Sequence, residues 1–139
     1  MKFPSIVSDV MHEIISIDSS TFVYEAAKKM RENKIGSIIV TQNGEPCGIV
    51  TRSDMISRVI VAYKDPRIHK INSIMSTPLI SIEANTPILD AMRLMRDQDI
   101  NQILIRDKDK LVGIVSEGDL IRAVTLASLT GFSSLLRRK

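Results

Sequence analysis

The sequence predicts a mixed α/β (α+β) protein built from two copies of a β-α-β-β-α unit. The first observation is an internal repeat: residues 14–54 align without a gap to residues 79–119 at a shift of 65, with 13 identities in 41 pairs. The second is that each copy alternates short β-branched runs with segments of helical periodicity. Two copies are too few for an extended solenoid, so the repeat predicts a pseudo-symmetric pair.

The first strand and the first helix of each copy follow from local signals. The β-branched runs at 14–17 and 79–82 predict strands. Thr21 and Thr86 are predicted N-caps, and Pro87 favours the first helical position. Apolar residues at helical spacing predict the buried faces, which are Phe22, Ala26 and Met30 in the first copy and Ile88, Met92 and Met95 in the second.

A hairpin and a second helix complete each copy. The dipeptide Asn43-Gly44 is a strong signal for a tight hairpin turn, and the polar segment 107–110 takes its place in the second copy. The predicted strands and final helices are 38–41, 47–51 and 54–63 in the first copy, and 103–106, 111–116 and 119–129 in the second.

These elements predict four regions along the chain. A first repeat covers 7–63, a polar linker 64–73 and a second repeat 74–129, and a short basic tail covers 130–139. The tail is expected to be a frayed terminus, with docking on a partner or on anionic nucleic acid as the alternative. Each repeat would be marginal alone, so a shared core is expected.

Composition excludes several classes of protein. The chain has 139 residues, of which 44% are hydrophobic and 25% charged, so it is expected to fold. A net charge of +3 gives no general nucleic-acid footprint, and 4% aromatic residues without Trp argue against stacking platforms for single strands. A single cysteine, no long apolar run and no signal-peptide pattern predict a cytoplasmic protein with no membrane role.

Candidates for catalysis or metal binding are weak. His12 and His69 have no recurring partner in the repeat and are expected to be solvated or packed. Cys47 pairs with Val112 across the repeat, which predicts a small buried hydrophobe. No spacing of His and Cys suggests a metal site, and no nucleophile lies beside a base. The chain is therefore expected not to be an enzyme.

One motif occurs in both copies. Segments 48–54 and 113–119 share the order glycine, two apolar residues, hydroxyl, two variable residues, aspartate. A carboxylate can accept both hydroxyls of a ribose diol, so Asp54 and Asp119 are ribose candidates. The hydroxyls of Thr51 and Ser116 lie just before a helix, where phosphate is favoured, and Ser53 adds another. The same residue types also cap helices without binding anything, and both interpretations stay open.

With these motifs and the segments 9–11 and 74–78 that lead into each copy, residues 7–128 resemble the CBS domain pair, or Bateman module. The resemblance implies tandem CBS repeats packed sheet to sheet with pseudo-twofold symmetry. It also implies two clefts for an adenosine-containing ligand, namely AMP, ADP, ATP or S-adenosylmethionine. Each cleft would combine both repeats: Asp54, Ser53, Thr51 and Ile49 with Thr86, Ala91 and Asn101, and Asp119, Ser116 and Ile114 with Thr21, Ala26 and Gly36.

The same resemblance implies a regulatory sensor that needs no cofactor, forms a homodimer through its helices and modulates an unknown partner protein. Nucleic acid is not expected to be a partner. The alternative is a protein- or nucleic-acid-interaction scaffold with vestigial nucleotide sites. Gly118 lacks the hydroxyl of Ser53, and Glu117 stands where the first copy has Arg52, so a charged ligand is expected to prefer the Asp54 site.

Overall fold

The computed structural model describes residues 3–137, which form two three-stranded sheets and four α-helices. The predicted β-α-β-β-α order is confirmed in both copies. The first copy consists of β1 (Ser16–Asp18), α1 (Val23–Asn33), β2 (Ser37–Gln42), β3 (Glu45–Thr51) and α2 (Arg52–Met55). The second consists of β4 (Ser81–Glu83), α3 (Ile88–Gln98), β5 (Gln102–Asp107), β6 (Lys110–Ser116) and α4 (Glu117–Arg137).

The two sheets have the same topology and register. In each, the first strand pairs parallel with the second, and the second pairs antiparallel with the third. The β2–β3 turn has positive φ at both central residues, 53° at Asn43 and 80° at Gly44, as a type I′ turn requires. The hairpin predicted from the Asn-Gly dipeptide is therefore confirmed.

The predicted helix starts at the two threonines are wrong by one residue. The N-cap residues are Phe22 and Pro87, and neither helix has a side-chain cap. A tertiary contact explains the difference, because the backbone carbonyl of each threonine accepts a hydrogen bond from a distant segment. The Ile71 amide donates to Thr21 over 2.7 Å, and the Val7 amide donates to Thr86 over 2.9 Å.

The buried helix faces are close to those predicted. Ala26 and Met30 are buried on α1, but Phe22 is 43% exposed because it precedes the helix, and Val23 takes its place in the core. On α3 the buried residues are Ile88, Ala91 and Met95, and the predicted Met92 is half-buried. Alanine at the centre of each face lets helix and strands approach closely.

The chain forms two compact units, which differ from the two repeats as read along the sequence. The first-repeat unit comprises residues 14–79, and the second-repeat unit comprises the described residues up to 13 and from 80 on. Each unit has its own core of buried aliphatic residues. Ile71, in the segment predicted to be a polar linker, is fully buried in the core of the first-repeat unit.

The final helices depart from their predicted lengths. Helix α2 begins at Arg52 and passes into a π-helical turn, Ile56–Ile60. Helix α4 runs to Arg137, so the backbone of 130–137 continues the helix where a tail was predicted. Arg138 and Lys139 lie outside the described residues. In the part of the chain that the structure describes, no helix has the length and apolar character needed to cross a membrane.

Candidate functional site

The two motifs end their sheets in matching capping boxes. Asp54 Oδ2 accepts hydrogen bonds from the Thr51 amide at 2.8 Å and the Thr51 hydroxyl at 3.1 Å, and the Asp54 amide donates back to Thr51 Oγ1 at 3.3 Å. The corresponding distances between Ser116 and Asp119 are 2.8, 2.8 and 3.2 Å. One oxygen of each carboxylate is thereby committed to starting a helix, as the capping interpretation predicts.

The second oxygen of Asp119 is held by two basic side chains. His12 Nε2 lies 2.8 Å from Asp119 Oδ1, and an Arg122 guanidinium nitrogen donates to the same oxygen at 2.5 Å. The Asp119 side chain is 7% exposed. Both oxygens of this carboxylate therefore accept short hydrogen bonds, and the arginine contact is charge-assisted.

This environment keeps Asp119 ionised. Burial of the carboxyl by itself raises its pKa, but the hydrogen bonds from the Ser116 amide, from His12 and from the Ser116 hydroxyl outweigh burial. The pKa of Asp119 therefore lies below its ordinary value. Asp119 is a fixed negative charge that two cationic or hydrogen-bonding groups neutralise locally.

The second oxygen of Asp54 has weaker contacts. The Ser76 hydroxyl donates to Asp54 Oδ1 at 3.3 Å, and Arg58 Nε lies 3.7 Å from it. Arg58 instead makes its good hydrogen bonds to the backbone carbonyls of Ile74 and Met75, at 3.1 and 3.0 Å. The two carboxylates thus share one role and differ in how strongly the outward oxygen is held.

Part of the difference comes from Arg122 on α4, and the rest comes from the segments that lead into each repeat. Two backbone hydrogen bonds join His12 to Ile114, and two join Ser76 to Ile49, so both segments lie beside a motif. His12 and Ser76 follow matching methionines and occupy equivalent places. Sequence reasoning missed both residues as neighbours of the aspartates. The repeated Val/Ile-Met pair before each marks the two positions as equivalent, but it does not indicate contact with an aspartate.

The structure places most other predicted site residues near a motif of their own repeat. The Gly36 carbonyl accepts the Arg52 amide at 3.1 Å, and the Asn101 carbonyl accepts the Glu117 amide at 3.0 Å. Ser53 is exposed next to Asp54. The ligand contacts predicted for Gly36, Asn101, Thr21 and Thr86 stay predictions.

The two alanines of the predicted site lie in hydrophobic cores. Ala26 and Ala91 are both 0% exposed, each inside the core of its own unit. In this conformation neither offers surface to a ligand. Their predicted role of leaving room for one therefore stays a prediction that needs the surrounding surface to open.

An open groove of about 570 Å³ lies on the first-repeat unit, between the end of α1 and the start of α2. We call it the basic groove. Its apolar wall carries three cationic side chains, and no acidic side chain lines it in the described part of the chain. The lining residues are Ala27, Met30, Arg31, Lys34, Ile35, Arg52, Met55 and Ile56.

No metal centre is found among the described residues, since no three His, Cys, Asp or Glu side chains come together there. Cys47 is half-buried beside the core, and its sulfur lies 3.9 Å from that of Met75. His12 is largely exposed apart from its contact with Asp119.

Two β-α-β-β-α units, each ending its sheet in a capped Gly-x-x-hydroxyl-x-x-Asp motif, define a class of tandem-repeat α+β proteins. The CBS domain family model matches residues 7–61 and 71–126. The chain belongs to the CBS domain family, and the resemblance inferred from the motifs is confirmed.

Known relatives agree with this assignment. An uncharacterized protein of Methanopyrus kandleri is 33% identical over 124 residues, 88% of this chain and 63% of that protein. A solved structure of an uncharacterized conserved protein from Pyrococcus horikoshii is 34% identical, with a TM-score of 0.80, 89% of this chain covered and 95% of that one. A hexameric CBS-CP12 protein from bloom-forming cyanobacteria is 25% identical, with a TM-score of 0.78, covering 87% and 68%.

The chain spans 52% to 63% of the length of the first curated relatives it matches. The fold predicted from the sequence, tandem CBS repeats, is confirmed by the solved structures at TM-scores near 0.80.

Proposed function

We propose that this protein is a regulatory module that binds an adenosine-containing ligand at the Asp54 motif and thereby changes the state of a partner protein. CBS-pair proteins are generally regulatory and ligand-binding, and they are generally not catalysts. The ligand class is AMP, ADP, ATP or S-adenosylmethionine.

The observation that carries the proposal is the division of labour between the two oxygens of Asp54. Its Oδ2 atom is fixed by the capping box, which holds the carboxylate in one orientation. Its Oδ1 atom has only long contacts, at 3.3 and 3.7 Å. The hydroxyl of Ser76 already donates to this oxygen, so a ribose hydroxyl can replace it with a shorter bond of the same kind.

The same comparison makes Asp119 the weaker site. A ligand there must displace hydrogen bonds of 2.8 and 2.5 Å from His12 and Arg122. Both partners are largely exposed, so screening limits each bond to about 0.3–1 kcal/mol, and losing both would lower affinity by about three- to thirtyfold. The charge of Glu117 beside this motif also opposes a phosphate, whereas Arg52 beside the Asp54 motif attracts one.

The regulatory output follows from what the ligand displaces. The Ser76 amide and carbonyl pair with Ile49, which holds the lead-in segment 71–76 against the motif. A ribose that takes the place of the Ser76 hydroxyl loosens this segment. A ligand alters a protein's state only by binding two states unequally, and the displaced segment supplies that difference. Hydrogen exchange at the Ser76 amide should accordingly become faster when ligand binds.

Isothermal titration with the four ligands tests the proposal. We expect micromolar binding of at least one. The matched variants Asp54→Asn and Asp119→Asn keep an oxygen for the capping box and remove the charge. The first should weaken binding tenfold or more, because it removes a charged hydrogen-bond acceptor, and the second should change affinity less than about threefold. Silence across the panel, or full affinity in Asp54→Asn, would reject the proposal.

We also propose that the chain associates with itself as a homodimer. Large apolar side chains are exposed on the helices of both units, for example Ile56, Ile60, Ile121 and Leu126. Contiguous exposed apolar patches mark interaction surfaces in soluble proteins. The cyanobacterial relative is described as hexameric. Sedimentation velocity over a range of protein concentrations measures the association, and a chain that stays monomeric throughout contradicts it.

A further inference from the structure

The basic groove has a counterpart of opposite charge on the other repeat. Helices α1 and α3 have the same length, and each ends at a residue in the left-handed region, Lys34 at φ 54° and Asp99 at φ 52°. Helices α2 and α4 begin at the equivalent residues Arg52 and Glu117. The shift of 65 therefore assigns an equivalent position in the second repeat to every residue of the groove.

The summed charge of these equivalent positions has the opposite sign to that of the groove. The groove carries Arg31, Lys34 and Arg52 and no acid, a sum of +3. The equivalent positions carry Arg96, Asp99 and Glu117, a sum of −1. We call this second surface the acidic face, and define it by Met92, Arg96, Asp99, Ile100, Glu117 and Ile121. Among the residues that the structure describes, no ion pair is found for Lys34, Arg52, Asp99 or Glu117.

The two surfaces also differ in side-chain size. Where the groove has the small Ala27, the acidic face has Met92, a longer and flexible side chain. Ile56 at the edge of the groove and Ile121 on the acidic face are 55% and 46% exposed. The basic groove is thus a recess with an aliphatic side chain at its edge. The acidic face has a larger side chain at the position of the groove's alanine, and it has an aliphatic side chain at the equivalent edge position.

We infer that the basic groove of one copy of this chain binds the acidic face of a second copy. The inference rests on the proposed self-association and names its pairing. If the grooves of two copies faced each other, three cations would meet three cations. If the acidic faces of two copies faced each other, two surfaces of net negative charge would meet. Only groove against acidic face brings +3 to −1, and like charges juxtaposed in an interface are costly. Each copy carries both surfaces, so either copy can supply the groove or the acidic face to such a contact.

The repeat itself supplies the test variants. The groove variant, Lys34→Asp with Arg52→Glu, installs the residues of the second repeat. The face variant, Asp99→Lys with Glu117→Arg, installs those of the first. Each new side chain is one that the equivalent position already holds. Matched controls carry the same charge changes in the β5–β6 hairpin: Lys108→Asp with Lys110→Glu, and Asp107→Lys with Asp109→Lys.

Sedimentation velocity of the ligand-free chain measures the dissociation constant of self-association. We expect the groove variant and the face variant each to raise it at least tenfold, because each sets like charges together. Both controls should leave it within about threefold. The chain with all four substitutions, and an equimolar mixture of the two variants, should both restore association, because +3 again meets −1.

The outcomes separate the pairing from the proposed function. If the groove variant alters association and the face variant does not, the groove pairs with itself and the inference is wrong. If the four-substitution chain and the mixture self-associate as weakly as the groove variant and the face variant do alone, the pairing is likewise rejected. A wild-type chain that is monomeric at every concentration rejects self-association as well. Ligand binding by the wild-type chain is titrated separately, and none of these association results predicts its outcome.

Discussion

Replacing each motif aspartate by alanine should destabilise the protein by different amounts. Asp54→Ala removes a capping-box acceptor, which costs about 1 kcal/mol, and its other contacts are too long to add much. Asp119→Ala removes the same cap and also the hydrogen bonds at Oδ1 from His12 and Arg122. Both of these partners are mainly exposed, so screening limits each to about 0.3–1 kcal/mol.

Adding these contributions predicts that the free energy of unfolding falls by about 1 kcal/mol in Asp54→Ala and by about 1.6–3 kcal/mol in Asp119→Ala. Urea unfolding measured by circular dichroism gives both values from the midpoint and slope. His12→Ala supplies the control through a double-mutant cycle: it should cost about 0.3–1 kcal/mol with Asp119 present and nothing in the Asp119→Ala background. Equal losses for the two aspartates, or a His12 effect that is independent of Asp119, would refute the reasoning.

Three further predictions concern pH, close packing and the lead-in segment. Because the pKa of Asp119 is lowered in the folded state, the unfolded state binds more protons in acid, and the free energy of unfolding should fall as the pH drops below about 5. The fall should be less steep in Asp119→Asn, and urea titrations at several pH values measure both. Gly48→Ala and Gly113→Ala place a Cβ 2.5 and 2.6 Å from methionine sulfurs, and should each lower the free energy of unfolding by about 1–3 kcal/mol, with Gly113 the costlier because a backbone carbonyl also lies at 3.1 Å. Ile71→Ala should cost about 2–5 kcal/mol in the same assay, since Ile71 is fully buried; no change would mean that 64–73 is a free linker.

The hairpins and helices were predictable because their signals are local. A type I′ turn needs positive φ at both central residues, and Asn43 and Gly44 have positive φ in the structure. The helical spacing of Ala26 and Met30 identified a face that is buried. Such patterns depend on residues only a few positions apart, so no knowledge of the rest of the chain was required.

The helix starts and the end of α4 were mispredicted for a physical reason. The Thr21 and Thr86 carbonyls receive amides from distant segments, and the helices begin one residue later, at Phe22 and Pro87. The sequence predicts a tail from residue 130, yet the backbone of α4 continues through Gly131. Glycine costs a helix about 1 kcal/mol, which is a preference that a longer helix can absorb.

The candidate site was half predictable. The repeat identified Asp54 and Asp119 together with their hydroxyl neighbours, and the capping boxes show why those residue types recur at that spacing. The outward oxygen of each carboxylate meets a residue from another part of the chain. His12 is 107 positions from Asp119, so no local pattern could connect them.

The duplicated unit, the order of its strands and helices, the family and the paired aspartates can all be recognised in the sequence, because they are recorded in short-range patterns and in similarity at one constant shift. Which lead-in segment lies beside which motif becomes visible in the folded chain alone. Residues 7–12 pack in the second-repeat unit and residues 71–76 in the first-repeat unit. Backbone hydrogen bonds between distant segments carry no residue code, yet they place His12 at one aspartate and Ser76 at the other, and so make two similar motifs chemically different.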